Sequence, residues 1–179
     1  MTPGPFAGLI SDDLGRIIAR DNGRYDVVFE RRIARPVEKV WAALTIPERI
    51  ADWFTEAELD LRVGGHYRLS FAWENYAISG VIIELEPLRR LTHTWPDKEH
   101  PDSVVRYELE PDGEGCRLTL TQTALGRTHF DVLPGWHTFL EALPGAADGV
   151  RTPWSPERDR ATAERYRHIV DALPEPTGA

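Results

Sequence analysis

His93, Tyr107 and Gln122 are the side chains in this sequence best placed to do chemistry. Each falls on an alternating, strand-like stretch beside apolar residues. An imidazole, a phenol and an amide facing one apolar space would supply the few hydrogen bonds that orient a small molecule. His93 stands two residues from both Leu91 and Trp95, so all three share one strand face. The competing reading is a hydrogen-bonded core histidine, because no acid or base partner stands at a recognised spacing. His137 and Glu141 lie four apart on one helix face, but zinc needs further ligands, so a solvent-side pair is expected. His129 belongs to no recognised motif. Ser70 and Ser79 lack the strand–turn–helix setting of a nucleophile elbow, and Gly113-Glu114-Gly115 lacks the glycine pattern of a dinucleotide loop. Cys116, beside a turn, reads as a packing residue. No catalytic residue, metal or cofactor is expected.

The elements around these residues follow from periodicity. Asp21-Asn22-Gly23 separates two strand-like runs, and Asn-Gly supplies the positive φ of a tight hairpin. Pro36 sets the start of a helix whose Val37, Val40, Trp41 and Leu44 share one face. With Thr45 as its cap, Pro47 opens a second short helix carrying Ile50, Trp53 and Phe54. After Gly64-Gly65, Tyr67, Leu69, Phe71 and Trp73 alternate with His66, Arg68, Ser70 and Ala72, so all four are expected on the concave side of a sheet. Strands follow at 77–85, around Leu91 to Trp95, at Val105 to Leu109, and at Leu118 to Gln122. After Pro134, Trp136, Phe139, Leu140 and Leu143 form the apolar stripe of a closing helix that Pro144 should end. Ser155-Pro156 then caps a further helix with a stripe of Ala163, Tyr166, Ile169, Val170 and Leu173.

Composition excludes several partner classes. The chain has 179 residues, 41% hydrophobic and 28% charged, which suits one domain with decorated ends. Residues 1–15 are expected to be a flexible amino-terminal segment, 16–173 a single domain with an added helix at about 156–173, and 174–179 a disordered tail. A net charge of -8 disfavours nucleic acid, whose binding depends on neutralising phosphates. Neither a membrane span nor a secretory signal is visible, and the single cysteine suits a reducing compartment, so cytoplasmic residence is expected.

One ordered set of segments resembles a known family. Phe29-Glu30-Arg31 through Pro36-Val37-Glu38-Lys39-Val40-Trp41 to Thr45, then Trp53-Phe54, Gly64-Gly65, Gly80-Val81-Ile82, Glu86-Pro87, Leu91 to Trp95, Tyr107 to Gly113, Leu118 to Thr121 and Gly135-Trp136 occur in that family's order. Together they resemble the SRPBCC superfamily, in the branch homologous to the carboxy-terminal domain of the activator of the heat-shock-protein-90 ATPase. The likeness covers roughly residues 25–143. It implies an α+β helix-grip fold: a curved antiparallel sheet wrapped around a carboxy-terminal helix, with two short helices after the first long strand. It implies no single activity, since the superfamily includes carriers, cyclases and co-chaperones. Pro144 and Gln122, the latter where relatives often carry histidine, depart from the pattern. The co-chaperone's separate amino-terminal domain has no counterpart here, so chaperone activation is not expected.

The expected function is binding of a small apolar or aromatic ligand in a cavity between sheet and closing helix. Its expected lining is Trp53, Phe54, Leu69, Phe71, Trp73, His93, Trp95, Tyr107, Gln122, Trp136 and Leu140. The alternatives are a cavity enzyme of the cyclase or aromatase type and a co-chaperone-like interaction module. Monomer and homodimer are both open.

Overall fold

Strands form where apolar and polar residues alternate, and they join edge to edge in one antiparallel sheet of order β1-β2-β8-β7-β6-β5-β4-β3. The computed structural model describes residues 14–173, so the expectations for 1–13 and 174–179 lie outside the described residues. The strands are β1 (Arg16–Ala19), β2 (Tyr25–Ile33), β3 (Glu56–Leu59), β4 (His66–Phe71), β5 (Tyr76–Glu86), β6 (Arg90–Thr94), β7 (Val104–Asp112) and β8 (Gly115–Leu125). The helices are α1 (Val37–Thr45), α2 (Pro47–Trp53), α3 (Val132–Ala147) and α4 (Pro156–Asp171). This is the α+β helix-grip arrangement.

Two irregularities bend the sheet. Between β2 and β8 the register slips at Tyr25/Val27, where buried Asp26 accepts from Arg20 Nε at 2.7 Å and from the Ala124 N–H at 3.2 Å. Between β5 and β6 it slips at Ile82/Glu84. An extra residue on one strand raises local twist, which lets the sheet curl around a helix. The stripe of α3 faces that concavity: Trp136, Phe139, Leu140 and Leu143 are all buried. A hairpin joins β1 to β2 as expected, but of the Asn22-Gly23 pair only Gly23 takes a positive φ, 74°.

Several local expectations are corrected. Tyr67, Leu69 and Phe71 are buried, but Trp73 is 39% exposed and not on a strand. The backbone of Ala72–Glu74 coils into a single 3₁₀ turn and Asn75 takes a left-handed conformation at φ 49°, so alternation stops after Phe71. Pro36 precedes α1 in extended conformation, and Thr45 ends α1, its hydroxyl donating to the Trp41 carbonyl at 2.8 Å, while Ile46 caps α2. Helix α3 begins before Pro134 and runs through Pro144. The lost N–H bond at Pro144 is tolerated because Leu143 and Ala146 beside it are fully buried. Strand β3 lies outside the expected strands although Glu56, Ala57, Glu58 and Leu59 alternate; it is a short acidic edge strand of which no residue is fully buried. Gly15, expected in a flexible amino-terminal segment, is packed; its N–H donates to the Tyr166 hydroxyl at 2.7 Å, and a Cβ there would meet the Phe29 ring at 2.5 Å.

Candidate functional site

The sheet buries Tyr67 of β4, His93 of β6 and Tyr107 of β7 on one face, with Tyr107 diagonal to His93 because it pairs with Leu91. The Tyr67 and His93 rings stack at 3.9 Å, and the Tyr107 ring lies 6.0 Å from His93. Nδ1 of His93 is 3.0 Å from the Thr94 carbonyl, an acceptor, so Nδ1 carries the proton and Nε2 the lone pair. Nε2 and the Tyr107 hydroxyl are buried and have no hydrogen-bond partner among the described residues. Burial pulls the His93 pKa down to about 4, with the Thr94 bond opposing. Burial, reinforced by Tyr67, pushes the Tyr107 phenol up. Both groups are therefore neutral at neutral pH.

The third polar candidate is already engaged. Gln122 Nε2 donates to Ser103 Oγ at 3.3 Å, and its Oε1 accepts from Trp136 Nε1 at 2.8 Å, which ties β8 to the start of α3. Trp53 is likewise structural, with Nε1 donating to the Ala43 carbonyl at 2.8 Å across the α1–α2 corner.

In front of this core opens a cleft of about 1330 Å³, walled by Phe54, Phe71, Trp73, Tyr76, Trp95, Phe130, Trp136, Phe139, Trp154 and Tyr166. Of the residues expected from sequence, Phe54, Phe71, Trp73, Trp95, Gln122 and Trp136 line it. Trp53, Leu69, His93, Tyr107 and Leu140 lie outside that lining, within the buried core. Phe54 holds the floor together, 5.0 Å from the Trp136 ring and 4.7 Å from Phe139. Trp73 leaves the sheet only to stack on Trp154, ring centres 5.1 Å apart and planes 6° from parallel. Sequence reasoning missed Trp154 and the part α4 plays in the wall. The α4 stripe was legible, but not which surface it would cover.

The rim is charged and mostly acidic: Glu74, Asp97, Glu99, Asp131, Asp159 and Asp171 face Lys98, Arg127 and Arg167. Burial and the nearby Asp131 push the Asp159 carboxyl up, which marks crowding of negative charge. At the same rim, one donor atom each from Glu99, His100 and His129 lies within 4.8 Å of the others. No sequence spacing announces that cluster.

His137 is a correction. It is fully buried rather than solvent-facing, because α4 covers that side of α3. Its Nδ1 is 2.7 Å from the Tyr166 hydroxyl, and its Nε2 is 3.0 Å from Arg165 Nη1 and 3.4 Å from Glu141. Cys116 is buried in β8, where burial raises its thiol pKa, as suits a packing residue.

Comparison with known proteins places this geometry. The family described as activator of Hsp90 ATPase homolog 1-like protein matches residues 34–148. The crystal structure of CalU16 from Micromonospora echinospora is 31% identical, covering 88% of this chain and 96% of that one, with a TM-score of 0.69. Protein MLL2253 from Mesorhizobium loti is 31% identical over 69% of this chain and 96% of its own, with a TM-score of 0.63. The protein encoded by BPP1335 of Bordetella parapertussis is 26% identical over 93% of this chain and 95% of its own, with a TM-score of 0.65. Among curated proteins no match is found. Among the described residues, no helix is long and apolar enough to cross a membrane. With the family matched across β3 to β8 and helices α1, α2 and α3, the chain belongs to the activator of Hsp90 ATPase homolog 1-like family, on the helix-grip fold of the SRPBCC superfamily.

Proposed function

We propose that the chain binds a small molecule with an apolar or aromatic body in the cleft between the sheet, α3 and α4. The observation that carries this reading is the continuous aromatic lining of a 1330 Å³ space, large enough for a drug-sized ligand. The family's fold supports ligand binding in general terms. Six carboxylates against three basic side chains at the rim favour a neutral or positively charged polar end over an anionic one, and the rings offer their faces to a cation. Neither nucleic acid nor a chaperone enters this reading.

A second reading, a cavity enzyme of the cyclase type, draws on His93 Nε2 and the Tyr107 hydroxyl, the unpartnered polar atoms one ring behind Trp95 and Trp136. A ligand carbonyl that reached this pair would accept from the Tyr107 hydroxyl, and a ligand hydroxyl would donate to His93 Nε2, hydrogen bonds the protein leaves unmade.

A thermal-shift screen of neutral, cationic and anionic aromatics tests the binding reading. Neutral or cationic compounds should raise the melting temperature, since a ligand at a hundredfold excess over Kd adds about 2.7 kcal/mol. Trp73→Ala, at a half-exposed rim position, should weaken that effect without unfolding the domain. A panel that leaves the parent protein unmoved would transfer the assignment to the interaction-module reading.

A further inference from the structure

The loop after β6 and the turn before α3 meet at the cleft rim, and we propose that His100, His129 and Glu99 there form a binding site for a divalent cation of the zinc class. The donor atoms already lie within 4.8 Å of one another, and a tetrahedral zinc with bonds of ~2.0–2.1 Å would draw them to ~3.3 Å. The two imidazole rings meet edge to face, centres 4.0 Å apart at 75°, so they converge without stacking.

The second observation is the way His100 is held. Its ring is buried at 1% exposure, with both carboxylate oxygens of Asp97 3.0 Å from Nδ1. Asp97 is itself fixed by the N–H groups of Glu99 at 2.8 Å and His100 at 2.7 Å. A carboxylate gripping Nδ1 puts the proton there and leaves the Nε2 lone pair for a metal, the arrangement that orients metal-binding histidines. Nε2 is aimed at the 126–129 turn that carries His129: a Cβ added to Gly126 would come within 3.0 Å of it. His129 Nδ1 lies 3.5 Å from Glu99 Oε2 and 3.0 Å from the Thr128 hydroxyl. Among the nearby cations, Lys98 is exposed, and half-buried Arg24 donates to the Glu99 carbonyl at 3.4 Å. Asp97, Glu99 and His129 also line the cleft, so a fourth coordination position would open to water or to an oxygen donor of a molecule in the cleft.

Three protein ligands of the N, N, O type suit zinc and its cobalt surrogate over magnesium or calcium, which prefer all-oxygen sites. Calorimetry of tag-free protein with zinc chloride, without any organic ligand, tests the proposal separately from the cleft reading. The expected result is saturable binding of one zinc per chain, with cobalt giving the visible spectrum of a four-coordinate site. His129→Ala, at a half-exposed position, should abolish both signals, and Asp97→Asn should weaken binding about 10–100-fold. His66→Ala, on the exposed side of β4, should change neither. Absence of saturable binding, or binding that survives His129→Ala, overturns the site.

Discussion

Among the buried histidine–tyrosine contacts of the described residues, His137 with Tyr166 and His93 with Tyr107 are completed in different ways. His137 and Tyr166 share a hydrogen bond of 2.7 Å, reinforced by the Gly15 N–H and by Arg165. His93 and Tyr107 are as deeply buried, yet Nε2 of the one and the hydroxyl of the other meet no partner among the described residues. Burying a polar group costs free energy unless it is paired, so the first pair can act as glue while the second weakens the core that contains it. The difference teaches that burial does not identify function. A satisfied pair fixes α4 onto α3, whereas an unsatisfied pair behind an aromatic cleft is where a ligand's polar atom would gain most.

The comparison can be broken by substitution, beginning with the surroundings common to both pairs. Trp41→Ala, in α1 at the edge of the shared core, should cost about 3–5 kcal/mol, read as a lowered urea midpoint. An unchanged midpoint would remove Trp41 from the core.

The next effect belongs to His93. Its pKa falls from the ordinary 6.5 to about 4 on folding, so as pH drops the unfolded chain takes up the proton first. The stability this group contributes is complete above its unfolded pKa and is lost as pH falls from about 6.5 toward 4. The loss should approach about 3 kcal/mol, at roughly 1.4 kcal/mol per unit. His93→Phe should flatten this part of the pH dependence, while retaining a ring to stack on Tyr67. Equal slopes in parent and variant would contradict the buried, neutral assignment.

The tyrosines give the sharpest contrast. Tyr166→Phe removes the acceptor of the Gly15 N–H and the 2.7 Å bond to His137 Nδ1, which keeps a longer 3.5 Å contact with Arg31, and should cost about 1–3 kcal/mol. Tyr107→Phe removes a hydroxyl that has no bond to lose, and should be neutral or slightly stabilising. Equal destabilisation by the two changes, measured in chemical denaturation, would show that Tyr107 has a partner after all.

What could be read in the sequence follows the same division. Strict alternation gave Tyr67, Leu69 and Phe71 their burial, and helical spacing gave α3 its stripe, because both patterns reflect one face meeting the core. Trp73 continued the alternation in sequence but not in space, since the turn at Ala72–Asn75 depends on a left-handed Asn75 that periodicity does not register. His137 looked solvent-facing because the stripe on α3 seemed complete, and only the docking of α4 covers its other side. The cleft's aromatic character was visible as a surplus of large rings, but its boundary was not. Trp154 reaches Trp73 from beyond the helix-grip elements, and His100 meets His129 from 29 positions away, contacts made by tertiary folding alone.

The central claim, that the aromatic cleft is the binding site, is tested most directly by the indole N–H resonances of the six tryptophans during titration with a neutral or cationic aromatic compound. Trp73, Trp95, Trp136 and Trp154 line the cleft, while Trp41 and Trp53 are buried away from it. The account predicts saturable shifts of the first four with Trp41 unmoved. Shifts of equal size at all six, or at none across the panel, would contradict it.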